Sequence, residues 1–141
     1  MLSIATSGLS AAGLRRDVAA SNIANATTSG PLPASSGSQA QAQGSSNTSN
    51  LPALYIPLRV DQTAQPDGGT VATVSAVSPA FVAQSDPTAS FANADGLVAA
   101  PNVDLASQFV QLLTAKYAFA ANAKVVQSYA TTSRSLLDIF A

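Results

Sequence analysis

The chain has 141 residues, enough for one ordinary domain, and carries six Lys and Arg against seven Asp for a net charge of −1. Glu, His, Cys and Trp are absent, and only 9% of residues are charged. This composition excludes disulfides and thiol nucleophiles, the ordinary zinc, copper and haem ligand sets, and a Ser-His-Asp triad.

No cofactor and no metal are expected, and the scattered cations make no footprint for nucleic acid. No run of ~18 apolar residues occurs, so no membrane insertion is expected. The start, Met1-Leu2-Ser3-Ile4-Ala5-Thr6, lacks the basic and apolar regions of a cleaved secretory signal. On these grounds alone the expected compartment is the cytoplasm.

Steps of 3 and 4 pick out Leu2, Ala5, Leu9, Ala12, Arg16, Ala19, Ile23 and Ala26, predicting an N-terminal helix whose stripe is mostly small residues. Gly8 and Gly13 weaken it by about 1 kcal/mol each relative to Ala. Residues 29–50 hold a single large apolar side chain, Leu32, and no charge occurs between Asp17 and Arg59. Such a segment buries too little to offset its ordering entropy and is expected to be a flexible loop, or to order only against neighbours.

Leu54, Ile56, Leu58 and Val60 then alternate as one face of a strand, with Pro57 confining it to an edge. Asp67-Gly68-Gly69 marks a turn, and Thr70 to Val77 reads as the return strand. A long loop punctuated by Pro79, Pro87, Asp95-Gly96 and Pro101 follows.

Asp104 to Phe140 contains neither Pro nor Gly. Alternating steps of 4 and 3 select Leu105, Phe109, Leu112, Lys116, Phe119, Ala123, Val126, Ala130, Ser133, Leu137 and Phe140, a heptad seam with Asn102 or Asp104 as cap. A helix over 104–139 would be about 54 Å long. Burial of its seam falls short of the entropy of ordering it, so it needs a partner along its length. The N-terminal helix can cover about two-thirds of that length.

The expected fold is therefore mainly α with a small β part: N- and C-terminal helices paired as an antiparallel coiled coil, and a short β-hairpin and loop region between them. The boundaries are 1–28, 29–52, 53–101 and 102–141. The pair still leaves Val103, Val110, Leu113, Tyr117, Val125, Tyr129, Leu136 and Ile139 outside. Apolar faces of that size meet other subunits, so both termini read as assembly elements. On pattern alone, a generic dimeric coiled coil competes with a polymer.

The run Ser7-Gly8-Leu9-Ser10-Ala11, continuing to Ala20-Ser21-Asn22-Ile23-Ala24-Asn25-Ala26-Thr27-Thr28, resembles the start of the bacterial flagellar rod and hook proteins, with their A-x-N-(I/L)-A-N-x-x-T segment. Asn102-Val103-Asp104-Leu105, Phe109-Val110 and Ala121-Asn122-Ala123-Lys124-Val125-Val126 resemble the closing motif of the same family. The stretch from Phe91 to Asp104 is most similar to the proximal rod members. The tail Lys124-Val125-Val126-Gln127 is as similar to the distal rod or hook members, which stand as the alternative.

The resemblance implies a structural subunit of the basal-body rod in the periplasm, exported without a cleaved signal by the flagellar type III apparatus. Its implied partners are copies of itself and other rod proteins in a helical hetero-oligomer. Family members pair their terminal helices around the axial tube, with the β-rich middle facing outward. The expected packing residues are Leu2, Leu9, Asn22, Ile23, Asn25, Leu105, Phe109, Leu112, Phe119, Asn122, Val126, Leu137 and Phe140. Asn22, Asn25 and Asn122 either bond backbone or neighbouring subunits or serve as helix-end polarity, and Lys116 either pairs with an Asp of a neighbour or snorkels to solvent.

An enzyme of the rod, a muramidase, would need a Glu acid beside a second carboxylate. The sequence has no Glu, and its seven Asp are scattered. Gly68-Gly69 lacks the Lys and Ser/Thr of a phosphate loop. A free-standing coiled-coil adaptor or export chaperone shares the heptads but does not require the two terminal motifs.

Overall fold

The computed structural model describes residues 2–33 and 52–140, with Phe140 as backbone only. Most of the loop expected over 29–52 lies outside the described residues. In chain order the elements are α1 (Leu2–Asn25), β1 (Leu58–Ala64), β2 (Thr70–Ala76), β3 (Phe81–Ser85), β4 (Leu97–Pro101) and α2 (Leu105–Phe140). The chain is mainly helical, with two small two-stranded sheets, β1-β2 and β3-β4.

Two compact units result. One comprises Met1–Ile23, Leu58–Ser75 and Asp104–Ala141; the other comprises Ala24–Pro57 and Ala76–Val103.

In the first unit, α1 forms because 24 residues run without proline, and α2 because 36 do. Of the two cap candidates, Asp104 is the one that works: its Oδ1 accepts the Ala106 N–H at 3.0 Å. β1 begins at Leu58, four residues later than the alternation predicts. Proline has no N–H for a ladder, so the strand starts just after Pro57 and runs on through Asp61, Gln62 and Thr63. The Asp67-Gly68-Gly69 turn is as expected, closed by Gly68 N–H to Gln65 C=O at 3.0 Å and Gln65 N–H to Gly69 C=O at 3.1 Å. Arg16, the interruption in the α1 stripe, points to solvent and pairs with Asp17 at 3.0 Å.

The second unit holds a hairpin where a loop is predicted. β3 and β4 are antiparallel in the register Phe81↔Pro101, Ala83↔Ala99 and Ser85↔Leu97. Gly30 bridges the other edge of β4, exchanging both backbone hydrogen bonds with Ala99 at 2.9 Å. β4 is thus central, and Val98, Ala99, Ala100 and Pro101 are buried. A central strand is buried on both faces and shows no alternation. Its Ala-rich composition, with a proline at its end, hides it from any propensity reading. The intervening turn is tied by Asn93, whose Oδ1 accepts the N–H groups of Asp95 and Leu97 at 3.0 and 2.8 Å.

Candidate assembly surface

The core of the first unit is built from small side chains. Ala5, Ala11, Ala12, Val18, Ala19 and Asn22 are the buried residues of α1, and Ala115 of α2 is wholly buried. Alanine buries little area, but it lets backbones approach. Gly8 takes this furthest: a Cβ built there would lie 2.7–2.8 Å from the Asn122 side-chain amide. Asn122 in turn donates its Nδ2–H to the Ala118 carbonyl one turn back, at 2.8 Å. Its amide is thereby laid flat over the glycine.

Asn22 Nδ2 reaches Gln108 Oε1 at 3.0 Å. Near the other end of α1, Leu2 lines an apolar groove with Val125, Ser128, Tyr129 and Thr132 of α2. These contacts advance along α1 as they retreat along α2, so the helices lie side by side in opposite directions.

The least exposed residues of α2 are Gln108, Leu112, Ala115, Ala118, Asn122, Ala123, Val126 and Ser133. Where the 4–3 series has Phe109 and Lys116, the covered face takes Gln108 and Ala115, one residue earlier. The reason is steric. The small α1 stripe approaches too closely for a phenylalanine, so the helix turns its slimmer side inward.

Among the predicted packing residues, Asn22 is buried. Leu9, Ile23, Asn25, Leu112, Asn122 and Val126 are half-buried, and Leu2, Leu105, Phe109, Phe119 and Leu137 are exposed. The side chain of Phe140 lies outside the described residues. Lys116 is exposed.

Outside, α2 carries two apolar series. Phe109, Val110, Leu113 and Tyr117 occupy its first half, and Val125, Tyr129, Leu136 and Ile139 its second, all more than half exposed. Their spacing of 3 and 4 puts each series on one side of the helix. A row of that size open to water marks an interaction surface. Gly8, Gln108 and the backbone of Leu58 make contacts that the seam reading does not single out. Only the glycine left a signal, as a helix-weakening residue without an evident use.

The Gly8 contact makes a specific expectation. Gly8→Ala forces the Asn122 amide aside and costs about 1–3 kcal/mol by overpacking. Adding Asn122→Ala opens the space and recovers most of that loss. A thermal-melt double-mutant cycle measures the coupling; additive effects would show that the two residues do not touch.

Among the described residues, no group of three or more potential metal-ligating side chains occurs, and no helix is long and apolar enough to cross a membrane. A pair of helices in close contact through small residues, with a large apolar exterior, defines a building block for a larger assembly. Residues 2–31 match the family model described as flagella basal body rod protein, and residues 94–139 the one described as flagellar basal body rod FlgEFG protein C-terminal. Together these segments make up just over half of the chain and include Gly8, Asn22, Gln108 and Asn122. The chain belongs to the flagellar basal body rod protein family and is a structural component of the rod. No curated protein matches the chain.

Proposed function

We propose that the protein is a subunit of the proximal rod, of the FlgC type, and that it polymerises through its terminal helices. In this reading α1 and α2 form an antiparallel coiled coil, and the exposed series on α2 pack against neighbouring copies and other rod proteins. The subunit is not an enzyme; it reaches the periplasm through the flagellar type III export apparatus.

The observation that carries the reading is the apolar exterior of α2. Phe109, Val110, Leu113 and Tyr117 form a row that the chain's own α1 does not cover. A lone subunit gains nothing from such a row, whereas a polymer buries it. The short β-rich middle and the Phe91–Asp104 stretch favour the proximal position. The tail Lys124-Val125-Val126-Gln127 and the FlgEFG description of the C-terminal match favour a distal or hook-type position as the second reading.

Deleting the gene and imaging basal bodies by electron microscopy, with complementation, separates these readings. Loss of the whole rod above the membrane ring is the expected result. A stub of rod would indicate a distal subunit. Intact basal bodies would favour a cytoplasmic coiled-coil adaptor or export chaperone.

A further inference from the structure

The charges of this chain are divided between its two units. All six Lys and Arg fall in the first unit. The second, Ala24–Pro57 with Ala76–Val103, has Asp86 and Asp95 as its charged residues and no cation. Along α2 the bias runs the other way. From Leu105 to Leu137 it carries Lys116, Lys124 and Arg134 and no acid. Exposed helices commonly set an acid one turn from a lysine, but α2 has none before Asp138.

The two lysines stand on an apolar stripe. Phe109, Leu113, Lys116, Ala120 and Lys124 recur at steps of 4, 3, 4 and 4, so they share one side of the helix. All five are exposed, Phe109 at 52% and Leu113 at 51%. Gln108, Ala115 and Asn122, which face α1, lie on a different side. The lysines are about 12 Å apart along the axis. Lys124 Nζ donates to Gln127 Oε1 at 3.1 Å, a neutral partner. Among the described residues the ion pairs are Arg16–Asp17 and Arg59–Asp61, so neither lysine is ion-paired.

The two acids meet in one corner. The Asp86 N–H donates to the Gly96 carbonyl at 2.9 Å, which sets Asp86 against the Asp95-Gly96 turn where β3 ends and β4 begins. The corner is tight: Gly96 has φ of +71°, and a Cβ there would lie 3.0 Å from Pro87 Cβ. Asp86 Oδ1 accepts the Thr88 hydroxyl at 2.7 Å, and Asp95 is exposed.

We propose that the lysine-bearing stripe of α2 docks the acidic Asp86–Asp95 corner of a second copy of this chain. The occupant follows from charge complementarity: each surface bears one sign of charge, and every copy carries both surfaces. Stripe on corner joins two different surfaces, so each pairing leaves one of each free to add further copies. The proposal rests on the rod reading and names what covers the first half of the α2 exterior. Phe109 and Leu113 supply the apolar area, while the charges orient the encounter and speed it.

Two variants test the contact. K116E/K124E reverses the stripe with residues that favour helix. D86N/D95K reverses the corner and keeps an Oδ1 for Thr88. Each alone is expected to polymerise about tenfold or more slowly than wild type. Their equimolar mixture is expected to recover to within about threefold of wild type, because each reversed surface meets its complement on the other variant. A variant that polymerises at the wild-type rate overturns the proposal, and so does a mixture as slow as its components.

Salt tests the same contact on the unaltered chain. Raising it from ~0.05 to ~0.5 M shortens the screening length from about 14 to about 4 Å and is expected to slow polymerisation about tenfold. An unchanged or faster rate, the response of a purely apolar contact, overturns the proposal. Wild-type protein that polymerises at no concentration would sink the rod reading instead. Sedimentation of the mixed variants would then decide the docking: a 1:1 complex supports it, and two monomers overturn it.

Discussion

Asn22→Ala is expected to lower the thermal midpoint of the isolated chain by about 10 °C. The substitution removes three hydrogen bonds at one stroke. It leaves the N–H and carbonyl of Leu58 and the Gln108 amide oxygen, all part-buried, without the almost wholly buried Asn22 amide as partner. Each stranded group costs ~1–3 kcal/mol, so a total of about 3 kcal/mol is a conservative sum. For a chain of this length that corresponds to the stated shift.

Asn22→Asp tests the same point by charge. A carboxylate still accepts from Leu58 N–H but donates to neither Leu58 C=O nor Gln108 and carries a charge into the buried site, so it should be at least as damaging. Melts followed by circular dichroism decide the matter. A shift below about 2 °C for both variants would mean that the clasp between α1, β1 and α2 is not a stabilising element.

Phe109→Asp is expected to do the reverse, sparing the monomer and abolishing assembly. Phe109 is 52% exposed, so its removal should change the monomer's stability by less than about 1 kcal/mol. In a packed assembly the same ring is worth ~1.5–3 kcal/mol, and a carboxylate in its place also has to be desolvated. The loss per contact therefore reaches several kcal/mol, raising the concentration needed for polymerisation by about a hundredfold or more. Phe119→Asp, at 43% exposure, should behave alike. The check pairs monomer melts with incorporation into basal bodies and swimming. Normal incorporation of both variants would remove α2's exterior from the subunit contacts.

The two predictions differ because the polar and apolar residues have exchanged their customary places. The buried polar side chain, Asn22, supports the subunit, and Phe109 and Phe119 of α2 lie outside. For a lone globular domain that arrangement would be perverse. For a subunit it follows from the small α1 stripe, which lets α2 turn Gln108, Ala115 and Asn122 inward, with Leu112 and Val126 half-buried on the same face.

The sequence by itself determined the elements that depend on local periodicity and local chemistry. The 4–3 spacing and the absence of proline define α1 and α2, Asp67-Gly68-Gly69 sets the first hairpin, and the two terminal motifs identify the family. Composition alone removed thiol, zinc and Ser-His-Asp chemistry. Tertiary structure decided the rest, because each remaining feature depends on residues distant in the chain. The β3-β4 ladder joins Phe81 to Pro101, and β4 carries no alternation since it is covered on both faces. The inward side of α2 was set by how closely Gly8 allows Asn122 to approach, a distance no single-helix pattern contains. The role of Asn22 lies with Leu58, thirty-six residues away, and with Gln108, eighty-six away. An amide at a helix end has the same appearance in sequence whether it caps that end or, as here, stands in for a strand.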